Sequence, residues 1–375
     1  MSARIAIASG GTGGHFFPTL AIARELERRA VSVDLLVAGR HAHDQLELAA
    51  RSGLRATETR AFRLPSGLWS ALCFPWRFSA AVRAARERLH ELAPDLLLGM
   101  GSFAAVPACL AARQEGIPLV LHEGNAWMGR ANRFLSRWAV EAGLSLPLVE
   151  GCRVSCPTVH TGMPLREALV AAAQNGAYPQ AYAAAAGLTR ERRTLLVFGG
   201  SQGARFLNDV MCQAGRELGD GSRRLQDIHL TGTDENAPIA AAYRAAGIPA
   251  SVRRADPDIQ NAYLAADLVI CRAGASSICE LALFGRPAIL IPLPSAAENH
   301  QTANAQVIAA RQGAVHLPQA EATPTRLAAL LTAWLAAGSR FAAMGEAIRG
   351  FAVPNAAAQM ADLCLRRVRV RPAGR

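Results

Sequence analysis

The side chains best placed to do chemistry lie within residues 271–304. The apolar run at 268–271 predicts a buried strand; Arg272-Ala273-Gly274 ends it, and Ser276 and Ser277 open a helix around 278–284. A helix that begins just past a strand end offers unpaired backbone N–H groups to an anion, which is where an open α/β sheet places a nucleotide phosphate. One turn in, Glu280 can accept hydrogen bonds from vicinal hydroxyls such as those of a ribose. Beyond the next strand, at 288–292, Glu298, Asn299, His300, Gln301 and Asn304 gather at another helix start. Five polar side chains there suit a sugar better than an apolar ligand.

The elements that must hold these groups recur along the chain. A strand at 4–9 runs into Gly10-Gly11-Thr12-Gly13-Gly14-His15 and a helix at 18–29. Such a turn lets backbone approach a phosphate or sugar closely. Its spacing is not the dinucleotide G-x-G-x-x-G, because Phe16 stands where the last glycine belongs, and the second strand, at 33–37, ends in Gly39-Arg40 without an acidic residue for a ribose. His15, surrounded by glycines, is a candidate general base. A strand at 95–98 precedes Gly99-Met100-Gly101-Ser102-Phe103, and one at 118–121 delivers His122-Glu123-Gly124-Asn125 to the same sheet edge. Near Gly162-Met163-Pro164 the sheet pattern stops, and 171–187 reads as a short helix and connector. It restarts with a strand at 194–198, the turn Gly199-Gly200-Ser201-Gln202-Gly203 and a helix at 206–218. Two copies of strand, glycine turn and helix, about 190 residues apart, imply two similar α/β domains facing a cleft.

Composition narrows the partners. All 40 Lys+Arg residues are arginine, which excludes a phosphate-binding or Schiff-base lysine. The net charge of +11 fits nucleic acid, anionic lipid or a phosphorylated substrate. No groove-reading basic helix or nucleic-acid motif is present, so no nucleic-acid partner is expected. Between residues 62 and 92, Leu64, Leu68, Trp69, Leu72, Phe74, Trp76 and Phe78 alternate with Arg63, Arg77, Arg83, Arg86 and Arg88. This segment fits a loop and core helix, or an apolar surface rimmed with arginine that rests on an anionic bilayer. The eight cysteines are scattered and read as reduced core thiols, and Cys152 and Cys156 lack a second pair at zinc spacing. No apolar stretch reaches the roughly 20 residues of a membrane-spanning helix, and the N-terminus reads as a first strand instead of a secretory signal, so a cytoplasmic location is expected.

Taken together, the segments at 10–23, 96–107, 121–132, 162–167, 197–208, 271–292 and 299–305 resemble the MurG family. These bacterial enzymes transfer N-acetylglucosamine from UDP-N-acetylglucosamine to a lipid-linked N-acetylmuramoyl-pentapeptide. The resemblance covers nearly the whole chain. It implies the α/β GT-B architecture, two Rossmann-like doubly wound domains with an interdomain cleft: an N-terminal domain at 1–163 on the acceptor and membrane side, a donor-binding domain at 164–350, and a C-terminal helix and basic tail at 351–375 that returns to the first domain. Donor contacts then fall on Thr12, Gly13, Gly14, Asn125, Arg166, Ser201, Ala275, Ser276, Ser277, Ile278, Cys279, Glu280 and Gln301, with Asp256 at the position whose backbone faces the uracil. His15, Glu280 and Arg166 are the catalytic candidates, and Gly101, Ser102, His122 and Glu123 face the acceptor. No metal or other cofactor is implied. The expected partners are UDP-N-acetylglucosamine, undecaprenyl-pyrophosphoryl-MurNAc-pentapeptide, an anionic membrane surface at the cytoplasmic face of the bacterial inner membrane, and other cell-wall synthesis proteins.

The chain departs from the family pattern at three places. GGY-x-SGP is replaced by the segment from Gly101 and Ser102 to Pro107, HEQN by His122-Glu123-Gly124-Asn125, and GNP by Gly162-Met163-Pro164. Ser277 stands for a usual Thr and keeps the hydroxyl. Another GT-B glycosyltransferase, acting on a different lipid or a small molecule, would share the 271–304 site without needing the Gly10–His15 turn or the 62–92 surface.

Overall fold

The protein is described by a computed structural model covering residues 3–10, 13–60, 68–200 and 205–368. Its chain forms two compact units, one of residues up to Arg166 joined by the chain from Asn355 onward, the other Glu167–Pro354.

The first unit runs β1 (Arg4–Gly10), α1 (Gly13–Arg28), β2 (Ser32–Ala38), α2 (Ala42–Arg51), β3 (Arg55–Glu58), α3 (Leu68–Leu92), β4 (Leu96–Gly99), α4 (Val106–Gln114), β5 (Leu119–Glu123), α5 (Arg130–Leu135), β6 (Glu141–Leu144) and β7 (Thr158–His160). Its strands form a parallel sheet in the order β3-β2-β1-β4-β5-β6-β7. The central strands are apolar throughout because helices cover both faces, as parallel sheets require. On one face Phe16, Leu20, Ile22 and Leu26 of α1 pack with Ile5, Ile7, Leu96 and Leu98; on the other, Val82, Ala85 and Leu89 of α3 pack with Cys109 and Ala112 of α4. β6 and β7 extend the sheet beyond β5, the last strand that the sequence pattern predicts before Gly162. Their segments, EAGL and TVH, are too short and too mixed to read as strands without β5 beside them.

The second unit runs α6 (Glu167–Asn175), α7 (Gln180–Ala185), β8 (Arg193–Phe198), α8 (Arg205–Glu217), β9 (Leu225–Leu230), α9 (Ala237–Ala245), β10 (Ala250–Arg253), α10 (Ile259–Ala265), β11 (Leu268–Cys271), α11 (Ala275–Phe284), β12 (Ala288–Leu290), α12 (His300–Ala310), β13 (Val315–His316), α13 (Pro324–Ala336) and α14 (Gly338–Arg349). The sheet is again parallel, ordered β10-β9-β8-β11-β12-β13. The last helix, α15 (Ala356–Arg367), packs on α1, placing Met360, Ala361, Leu363 and Cys364 in the first unit's core.

The second unit's core also holds a polar string under α8 and α9. His229 is fully buried; its Nε2 lies 3.0 Å from Asn208 Oδ1 and its Nδ1 2.8 Å from the Tyr243 hydroxyl. An amide oxygen only accepts, so Nε2 carries the hydrogen and Nδ1 accepts from Tyr243. Burial pulls the imidazole down to about 3, so it is neutral. Asp227, two residues earlier on the same face of β9, is fully buried, and neither of its oxygens has a well-formed hydrogen bond among the described residues. Burial pushes its carboxyl up to about 8.

Candidate active site

In each sheet the strand order reverses once, between β1 and β4 and between β8 and β11. The carboxyl ends of strands at such a reversal form the ligand crevice of an open α/β sheet. The described glycines of the turns singled out in the sequence, among them Gly10, Gly99, Gly101, Gly199 and Gly274, fall at these two places.

In the first unit three strand ends converge on His15. Its Nδ1 lies 3.1 Å from the Met100 carbonyl, which can only accept, so Nδ1 holds the hydrogen and Nε2 is the basic nitrogen. Gly101 has φ +77°, and a Cβ there would sit 3.3 Å from Asn132 Nδ2 and 3.6 Å from His15 Cε1, so glycine suits both the backbone and the space. Ser102 also has positive φ, +71°, where a side chain costs on the order of 1–3 kcal/mol. Its hydroxyl partly offsets that by accepting the Ala104 N–H at 3.2 Å. Serine thus occupies a conformation that the family's usual glycine takes without strain.

The side chains of His122 and Glu123, expected on the acceptor side, are turned inward. His122 is buried and its Nε2 lies 2.9 Å from Ser145 Oγ, whose own hydrogen goes to the Gly162 carbonyl. Burial, aided by His15, lowers its imidazole to about 3. Glu123 is 4% exposed. Its Oε1 accepts from the backbone and side-chain nitrogens of Asn125 at 3.0 and 3.1 Å, and its Oε2 from Gly129 N and Asn132 Nδ2 at 3.1 and 3.0 Å. Four donors on one carboxylate fix the loop that presents half-buried Asn125. Glu123 therefore shapes this edge from beneath; the sequence offers no sign of that, since its partners lie up to nine residues away. Arg166 ends the unit with its guanidinium 5.5 Å from the ring centre of Phe17. Gly13 and Gly14 form the first residues of α1; Thr12 lies outside the described residues.

In the second unit, α11 starts directly beyond β11. Gly274 is its extended N-cap and supplies no side chain, leaving the first-turn amides of Ala275, Ser276 and Ser277 uncapped by a side chain. Ser276, Ser277 and Glu280 are half-buried and share one helical face. Tyr263, packed between Phe198 and Phe284, donates its hydroxyl to Glu280 Oε2 at 2.8 Å and orients the carboxylate. Ile278 and Cys279 are buried, so only their main chain is available to a ligand.

Arg272, which the sequence marks only as a strand end, is 6% exposed; it donates to the Ile291 and Pro292 carbonyls, both at 3.2 Å, and lies over Phe206. It brings a buried positive charge behind the helix start. Gln301 accepts the Leu293 N–H at 2.9 Å and closes the loop before α12. Asn304, expected among sugar-facing groups, is fully buried and donates to the Ala273 carbonyl at 3.0 Å, bracing the 272–274 turn. The Asp256 side chain also points inward, accepting from Tyr182. Ser201 lies outside the described residues. Among the described residues, no group of three or more His, Cys, Asp or Glu is placed to hold a metal ion.

Two parallel sheets with alternating helices, each with a polar crevice at its reversal, constitute the α/β GT-B fold of sugar-nucleotide glycosyltransferases. Residues 5–143 match the N-terminal domain of glycosyltransferase family 28, and residues 194–360 match its C-terminal domain. Within that class the chain belongs to the MurG family. It is 37% identical over 365 residues to the UDP-N-acetylglucosamine–N-acetylmuramyl-(pentapeptide) pyrophosphoryl-undecaprenol N-acetylglucosamine transferase of Stutzerimonas stutzeri, covering 97% of this chain and 99% of that one. It is 39% identical over 372 residues to the transferase of the same name from a Methylobacterium, covering 96% and 95%. The crystal structure of Acinetobacter baumannii MurG superposes with a TM-score of 0.79 at 28% identity, over 98% of this chain and all of that one.

Proposed function

We propose that this chain is an inverting glycosyltransferase that moves N-acetylglucosamine from UDP-N-acetylglucosamine to the lipid-linked N-acetylmuramoyl-pentapeptide, the conversion of lipid I to lipid II in peptidoglycan synthesis. The observation that carries the reading is the near full-length match to transferases of that name. The chemistry of the second unit supports it. The α11 amides and Arg272 meet a diphosphate with positive potential, and Glu280, held by Tyr263, accepts from ribose hydroxyls. Thr12, Gly13, Gly14, Asn125, Arg166, Ser201 and Gln301 keep the donor roles that the resemblance gives them. As the acceptor hydroxyl attacks the anomeric carbon, the bond to the diphosphate breaks and UDP leaves as an anion. His15 Nε2 takes the hydroxyl proton, the tautomer being set by Met100.

The acceptor's lipid calls for a membrane surface, and α3 supplies a candidate. Trp76 is 83% exposed beside exposed Arg77 and Arg83, and a groove of about 300 Å³ is lined by Phe78, Val82, Leu110 and Arg86. No single helix among the described residues is long and apolar enough to cross a bilayer. Peripheral attachment at the cytoplasmic face of the inner membrane follows from this reading.

The test is disaccharide formation by purified protein from UDP-N-acetylglucosamine and a short-chain lipid-linked muramoyl-pentapeptide, with a chelator present. Turnover only with a different lipid would favour another GT-B specificity. Within the assay, Glu280→Ala should raise the donor KM about tenfold or more while leaving the acceptor KM within about twofold. Equal losses on both sides would remove Glu280 from the donor site.

A further inference from the structure

Tyr182 and Arg253 of the second unit, to which no role has been given, meet the side chain of Asp256. The loop between β10 and α10 has exposed residues at Arg254, Ala255, Pro257 and Asp258, while the side chain of Asp256 is only 3% exposed. Its Oδ2 accepts the Tyr182 hydroxyl at 2.6 Å and lies 3.4 Å from Arg253 NH1; its Oδ1 accepts the Asp258 N–H at 2.9 Å. Arg253 NH2 donates to the Tyr182 hydroxyl and to Ser251 Oγ, both at 3.2 Å, and the guanidinium sits 5.1 Å over the Tyr182 ring. Tyr182, Arg253 and Asp256 thus form a closed triangle in which the phenol both donates and accepts. On the near side of the loop, Arg253 and Arg254 carbonyls accept from Thr231 and Gly232 at 2.9 and 2.8 Å. The main chain around residue 255 is therefore pinned on both sides. Tyr182 itself comes from α7, a six-residue helix whose one buried residue is Ala183.

We propose that Tyr182 is a positioning residue for the donor's base: through Asp256 it holds still the β10–α10 main chain that reads the pyrimidine edge. The proposal rests on the UDP-sugar reading, which puts the backbone at Asp256 against uracil. Uracil presents an N–H and a carbonyl where cytosine presents a bare nitrogen and an amino group. A main chain can reject the wrong pattern only if its own N–H and C=O cannot shift to suit it. Burial first, and then the Asp256 carboxylate, push the phenol's ionisation upward, so it remains a donor across the working pH range.

Tyr182→Phe deletes one hydroxyl and keeps the ring under Arg253. The expected result is a donor KM raised about tenfold, the equivalent of one lost hydrogen bond to a charged group. The kcat and acceptor KM stay unchanged, and the preference for UDP over CDP in calorimetry narrows. Asp256→Asn should act in the same direction. Hydrogen exchange of the 254–258 amides, measured without ligand, should quicken in both variants. Wild-type protein that binds no UDP would overturn the donor reading and this role with it. Wild-type binding of UDP that Tyr182→Phe leaves unaltered, or a fall in kcat with no change in donor KM, would overturn the positioning role alone.

Discussion

At the residue scale, the groups that shape the site differ from those that touch its surface. Glu123, Asn304 and Asp256 are polar, close in sequence to the motifs, and turned inward to hold loops. A linear sequence does not say which way a loop side chain turns. It says more on a helix: the 3.6 period alone sets Ser276, Ser277 and Glu280 on one face and Ile278 and Cys279 away from it. The Tyr182–Asp256 contact spans 74 residues and left no trace in spacing. Asp227 gives a prediction at this scale. Its folded-state carboxyl titrates at about 8 against an ordinary value near 4, so between those pH values the folded chain keeps a proton that the unfolded chain releases. Stability from this group is fully present at the acid end and is lost as the pH rises from about 4 to about 8. Asp227→Asn cannot titrate, so its melting temperature relative to wild type should rise by roughly 5 °C between pH 5.5 and 8. A difference that is constant with pH would show that Asp227 is ionised in the fold.

At the element scale, the glycine turns, the long central strands and most helices are legible, because apolar runs between punctuating glycines leave few alternatives. The strand order is not, since pairing depends on which faces the crossovers cover. The edge strands β3 and β7, and β6 beside β7, escape notice because a partner strand, not their own composition, makes them strands. The helix α15 shows how far apart the makers of one core can lie. Met360 is fully buried, and a Cβ on Gly143 of β6 would come within 2.3 Å of its sulfur, so glycine at 143 leaves the space that the Met360 side chain occupies. Met360→Ala should destabilise the first unit by about 2–5 kcal/mol, read from the denaturant midpoint of a probe within it. An unchanged midpoint would mean α15 is dispensable to that core.

At the scale of the whole molecule, the second unit is a single unbroken segment, Glu167–Pro354, inserted in a first unit whose chain leaves and returns. Expressed alone, that segment should give one cooperative unfolding transition, because the large apolar cluster from Leu195 to Met344 lies wholly inside it. A non-cooperative melt would mean it borrows stability from elsewhere. The returning helix also sets a timetable for biosynthesis. As the nascent chain leaves the ribosome, the portion made first waits with an uncovered apolar face until the final helix emerges, while the portion made later has every residue it requires beforehand. The order of completion is thus the reverse of the order of translation, and a premature stop just short of Asn355 would leave the older half sticky and the younger half sound.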